Sequence, residues 1–303
     1  MKRNLYLPAA LLLVFSLLLP LAACGKPAEP ADAQVTTVEE TEASTTTEPI
    51  DTEDITTAPE EITTEASTTE ANPVPGTPAQ VLTAYTEVMN KAKKDAKYFR
   101  KLEYQQLGKD SHFEQDFINN PAVMEQANKL MTSKDKAMTQ DMYTKGVTDM
   151  VNELPVMKCA VGCMAKDTGV FARAAARQLS NGDIELTLVM KPEDNPEPAA
   201  AGASASPSIT GQMFNPLSKA GIDERLNGTI VKMAFLGKPP VISTRYFDCK
   251  AVLTYNPETK QIVTLRQDYN VRINILEGKA LIFINAVGYA TLEAAMICDQ
   301  FKY

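Results

Sequence analysis

The sequence predicts an α+β fold over residues 79–303: a long coiled antiparallel sheet with N-terminal amphipathic helices packed on one face. Three observations point there. Apolar residues in the first half recur at helical spacing, and those in the second half alternate. The alternating runs are also longer than the usual five or six residues of a strand, so the sheet must twist and coil. A sheet of that kind with one apolar face needs a cover, which amphipathic helices can supply.

The first helix starts at Pro78. "AQVLTAYTEVMNKAKK" sets Val81, Tyr85, Val88, Met89 and Ala92 on one face. Asn120-Pro121 opens a second, with Asn as N-cap, Pro at the first helical position, and Met124, Ala127, Leu130 and Met131 on a shared face. Ser133 caps a third, whose stripe is Met138, Met142, Val147, Met150, Val151 and Leu154, and Pro155 ends it. A fourth, short helix is expected from Asn215-Pro216 to Leu226, with Gly228 just past its end.

Asn181-Gly182 is the strongest hairpin signal in the chain. After it Ile184, Leu186, Leu188 and Met190 alternate with Glu185, Thr187 and Val189. The segment before it, "VFARAAARQL", alternates acceptably despite its high helix propensity. From 241 to 255, Phe247, Cys249, Ala251, Leu253 and Tyr255 are expected on one face and Tyr246, Asp248 and Lys250 on the other. "NPETK" at 256–260 is a turn. The next strand should point Val263, Leu265, Tyr269, Val271, Ile273 and Ile275 one way and Thr264, Arg266, Asp268, Asn270, Arg272 and Asn274 the other. Gly278 turns the chain and "KALIFINAVGYATL" runs back. The end, 290–303, fits a helix by the spacing of Leu292, Ala295 and Met296. Its place after a long strand favours continuation as strand past a bend at Gly288.

Ahead of this domain stand two other segments. Residues 1–23 have a basic start, Lys2 and Arg3, and an apolar run from Leu5 to Leu19, too short for a spanning helix. The run ends in Leu21-Ala22-Ala23-Cys24, which resembles the lipobox of bacterial lipoprotein precursors. The resemblance covers about the first 25 residues. It implies a diacylglycerol on the Cys24 thiol, cleavage before that residue, and an extracytoplasmic protein lipid-anchored in the outer leaflet of the cell membrane. Stable anchoring takes more than one acyl chain, at about 0.8 kcal/mol per buried CH₂.

Residues 24–78 follow as an acidic tether rich in Thr, Glu and Pro. From 26 to 78 there are thirteen acidic residues and one basic residue, Lys26, against a net charge of −8 for the whole chain. The folded part is therefore slightly positive. Like charge and low hydrophobicity predict disorder, and a coil of this length reaches about 40 Å.

Little in the chain points to chemistry. There is no GxSxG, HExxH, Walker-type or dinucleotide motif, no Trp, and no aromatic–basic interleaving that would indicate nucleic acid. No metal or cofactor is expected. His112, beside Asp110 and Asp116, reads as a solvated surface residue. Asp223, Glu224 and Arg225 read as the solvated face of a helix. Asp248 and Asp268 read as members of cross-strand ion pairs. Cys159, Cys163, Cys249 and Cys298 allow three disulfide connectivities, and their apolar neighbours suit buried free thiols equally well.

The functional expectation is a non-catalytic cell-surface interaction or scaffolding module whose partner is a cell-surface protein or the wall. The alternative is a carrier for a lipid or other apolar ligand held between sheet and helices. Its lining would come from Val81, Tyr85, Val88 and Met89 on the helix, with Phe247, Leu253, Leu265, Tyr269, Val271 and Ile273 on the sheet.

Overall fold

In a computed structural model of the chain, the residues described are 73–114, 121, 124–125, 139–144, 150–227, 238–280 and 284–303. The leader, Cys24 and nearly all of the tether lie outside them. So does the expected helix after Asn120, apart from Pro121, Met124 and Glu125, which are helical.

Among the described residues the fold is mainly antiparallel β with few helices. Helix α1 (Pro78–Asp95) opens it. Thr77 is its N-cap: the Thr77 Oγ1 accepts from Gln80 N at 3.3 Å, and the Gln80 Oε1 accepts from Thr77 N at 3.0 Å. That capping box satisfies two donors the first turn would leave orphaned. Val81, Tyr85, Val88, Met89 and Ala92 are all buried, as their spacing predicts. Each larger apolar side chain among them contributes about 1.5–3 kcal/mol on burial.

The nine-stranded sheet comprises β1 (Tyr98–Leu107), β2 (His112–Phe113), β3 (Thr139–Thr144), β4 (Phe171–Gln178), β5 (Ile184–Met190), β6 (Glu193–Asp194), β7 (Val241–Asn256), β8 (Gln261–Glu277) and β11 (Gly288–Lys302). Its main path runs β3-β1-β11-β8-β7-β5-β4, with β2 on β11 and β6 on β7. A separate two-stranded ladder joins β9 (Lys279–Ala280) and β10 (Ile284–Asn285). One register row shows the buried face: Leu186, Leu253, Leu265, Cys298 and Lys101 lie side by side on five successive strands. Helix α1 and the segment holding Met213 and Phe214 join this face in one hydrophobic core. Gln267, buried at its centre, donates to the Met213 carbonyl at 2.9 Å.

Several expectations hold. The β4–β5 hairpin turns at Asn181-Gly182, where Gly182 has φ +87. Ile184, Leu186, Leu188 and Met190 are buried. Asn256 ties the 256–260 turn by accepting from the Glu258 and Thr259 amides. The 290–302 stretch is strand.

Others are overturned. Residues 139–144, inside the expected third helix, form β3 on the edge of the sheet, and only Met150–Glu153 (α2) are helical there. Pairing with the β1 backbone outweighs a helical stripe whose propensity is weakened by Thr139, Tyr143 and Thr144. The fourth helix, α3 (Lys219–Leu226), starts three residues later than expected. Ser218 caps it by accepting from Gly221 N, while the Asn215 side chain instead accepts from Met157 N. Phe247 leaves the core face and Tyr246, buried, takes its place. The cause is a bulge: Phe247 pairs with Asn270 and Lys250 with Asp268, so Asp248 and Cys249 oppose Tyr269 alone, with Asp248 at φ 52. A second register shift between Thr254 and Tyr255 turns Val263 outward and buries Ile262.

Candidate functional site

On the face opposite the core, the sheet carries a depression of about 720 Å³. Its geometry follows from the register. Tyr104, Ala295, Asp268, Lys250 and Val189 stand side by side on β1, β11, β8, β7 and β5. The neighbouring row on one side begins Gln106, Glu293, Asn270, and on the other Ile297, Arg266. Ala295 supplies a low floor between the taller Tyr104 and Asp268. The bulge at Asp248 raises one wall, and Asp248 is exposed there.

Both cations in this trough pair with Asp268, whereas the carboxylates of Asp248 and Glu293 meet only side-chain amides. Arg266 Nη2 lies 2.6 Å and Lys250 Nζ 3.5 Å from the Asp268 carboxylate. Donating to the Asp268 carboxylate pushes the Arg266 guanidinium further above its ordinary value, with partial burial opposing it. Gln106 Nε2 donates to Glu293, and Asn270 Nδ2 to Asp248 at 3.4 Å. Asp268 is thus the cross-strand partner its sequence neighbours suggest, whereas Asp248, expected in the same role, sits in the bulge and meets the Asn270 amide instead of a cation. Beyond one end, Arg272 donates to Asp110 at 2.6 Å and lies 4.6 Å from the Tyr289 ring and 5.6 Å from the Phe247 ring. Desolvation works to raise the Asp110 carboxyl. The neighbouring Thr291 hydroxyl, the hydrogen bond from Arg272 and the Arg272 charge outweigh it and hold the group below its usual range.

Of the residues nominated as an apolar lining, Tyr269 alone also borders the trough. Val81, Tyr85, Val88, Met89, Leu253, Leu265, Val271 and Ile273 are buried in one packed cluster. Tyr269 is partly buried at its edge, stacked on Tyr246 at 6.0 Å and edge-on to Phe214 at 6.2 Å. Phe247 is on the opposite face beneath Arg272. The four described cysteines are free and buried. Cys298 shares a register row with Leu253, two strands away, and Cys249 is four residues further along β7. Two strand spacings, about 9.5 Å, already exceed the span of a disulfide. Cys159 and Cys163 sit in turns rather than on a strand and belong to different clusters. His112 is exposed on β2, opposite Tyr289. Asp223 pairs with Lys219 along exposed α3.

The trough residues of β1 carry no legible signal. Phe99, Lys101, Glu103, Gln105 and Leu107 form its inner face, so apolar alternation is absent. Lys101 is buried against Glu103 at 2.8 Å, with Glu153 at 3.9 Å. Only the pairing with β11 brings Tyr104 and Gln106 to the site. No helix among the described residues is long and apolar enough to cross a membrane. No protein-family profile, curated protein or solved structure matches this chain.

Proposed function

We propose that this chain is a lipid-anchored extracytoplasmic lipoprotein whose folded part is a non-catalytic interaction module, docking a cell-surface partner in the trough. The observation that carries the reading is the trough itself. It spans five strands on the face away from the core, with polar side chains held in place by mutual hydrogen bonds. Preorganised polar groups on rigid strands lose little freedom when a partner binds. The lipobox-like Leu21-Ala22-Ala23-Cys24 and the acidic tether support the placement: an anchor, a spacer and a binding face in sequence. In this reading the N-terminal helical segments close the apolar face of the sheet and leave the other for the partner. The packing of the nominated apolar residues against each other favours it over a carrier of apolar ligands.

Two measurements test it. Cys24→Ala is expected to move the protein from the membrane to the soluble fraction at high salt. Retention of the variant would remove the anchor. Amine labelling should then give a lower Lys250-to-Lys219 ratio on intact cells than in the purified protein, where Lys250 in the trough is already the less exposed of the two. Equal relative labelling in both would remove the docking face.

A further inference from the structure

We infer that the ligand of the trough is a neutral oligosaccharide; this rests on the reading that the trough is the docking face. The charge pattern is the first reason. Each cation lining the trough faces a carboxylate: Arg266 and Lys250 both meet Asp268. A phosphorylated or polyanionic ligand needs a cluster of uncommitted cations. The lining offers none, so its entry would break existing ion pairs, while Asp248 and Glu293, which meet no cation, accept from side-chain amides and can accept from ligand hydroxyls.

The second reason is the kind of polar group present. Carboxylates, a guanidinium and side-chain amides alternate across Gln106, Glu293, Asn270, Asp268 and Arg266, giving donors and acceptors within one small area. A hydroxyl both donates and accepts, so vicinal hydroxyls on a sugar ring satisfy such a mixture without adding charge. The third reason is shape. The alanine floor at Ala295 lies directly beside Tyr104, which gives a sugar ring's C–H face an aromatic flank to pack on. The volume, about 720 Å³, falls within the range of small-ligand sites, roughly 300–1,000 Å³.

The test applies the full chain, purified in detergent, to arrays of short neutral oligosaccharides, sulfated and phosphorylated glycans, and random peptides. Binding to one or more neutral oligosaccharides is expected, and it should persist at high salt because no counterions are released. Ala295→Trp, which fills the floor, should lower the affinity at least about tenfold, as one or two lost hydrogen bonds to charged groups would. Tyr104→Leu should weaken the same binding, and it keeps the assay decisive if Ala295→Trp unfolds. Binding confined to charged glycans, or binding that neither variant alters, overturns the inference. If peptides rather than sugars bind, and Ala295→Trp or Tyr104→Leu abolishes that binding, the sugar assignment fails while the docking face stands. If no probe binds, the sugar assignment also fails, and the Lys250 footprint alone decides the docking face.

Discussion

At the scale of single residues, the interior holds several polar groups whose partners are unambiguous. Lys93, on the last turn of α1, is buried and donates to the carbonyls of Val156 at 2.6 Å and Cys159 at 2.7 Å. Lys93→Met keeps the length but leaves those acceptors without their donor, and should cost about 2–3 kcal/mol in urea denaturation. Gly288 sits at φ +149, and a Cβ there would come within 2.5 Å of the His112 carbonyl oxygen and the Phe113 Cα. Gly288→Ala is therefore expected to lose about 2–3 kcal/mol and to detach β2, seen as faster amide exchange at 112–113. The thiols set an alkaline limit. Burial, reinforced by the charge of Asp248, pushes Cys249 up to about 12 from 9.0, and burial does the same for Cys298 despite Lys101. Between those values the unfolded chain has released protons that the folded chain still holds. Stability is thus fully present below pH 9 and is lost as pH rises toward 12, by on the order of 1 kcal/mol per pH unit for each thiol. Urea midpoints from pH 8 to 11 should fall, and the Cys249→Ala/Cys298→Ala double variant should flatten the fall. Tyr303, also pushed to about 12 by burial, leaves a residual slope above pH 10.

At the scale of elements, the most legible were those with a local code. The stripe on α1 and the agreement of Asn181-Gly182 with the alternation of β5 are of this kind, and the structure adds the capping box at Thr77 that starts α1. Thr77→Ala should cost about 1 kcal/mol, read as a lower thermal midpoint, with the helix otherwise kept. The elements that misled are those decided by pairing. The run at 139–144 carries a helical stripe but is drawn into the sheet by β1. In β7, a single extra residue at Asp248 reverses which neighbours are buried, so strict alternation places Phe247 and Tyr246 on the wrong sides. In β1, buried Lys101 and Gln105 conceal the strand altogether. Alternation in sequence records side-chain polarity, and that equals burial only where the strand is regular and the covering layer apolar.

At the scale of the whole molecule, the arrangement is a sheet with two unlike faces. The inner face is one hydrophobic core closed by α1 and the 193–217 segment, which is held by Glu193 accepting from the Ile209 and Thr210 amides and by the Tyr246 hydroxyl accepting from Leu217 N at 2.9 Å. The outer face bears the trough. Substitutions of the solvent-facing side chains of the trough should change stability little, whereas substitutions in the buried row Leu186, Leu253, Leu265 should lower it strongly. Leu265→Ala, with Leu265 fully buried, should cost about 2–5 kcal/mol in chemical denaturation.

The sequence by itself determined the stripe of α1, the β4–β5 hairpin and the long alternating runs of β7 and β8. These rest on contacts close along the chain or on a period a single strand displays. Tertiary structure decided the rest: β3 as an edge strand, the bulge that exchanges Phe247 for Tyr246, the free state of the cysteines and the trough. Each depends on which strands lie side by side, and register between residues such as Tyr104 and Ala295, nearly two hundred positions apart, is fixed by backbone pairing that no local pattern encodes.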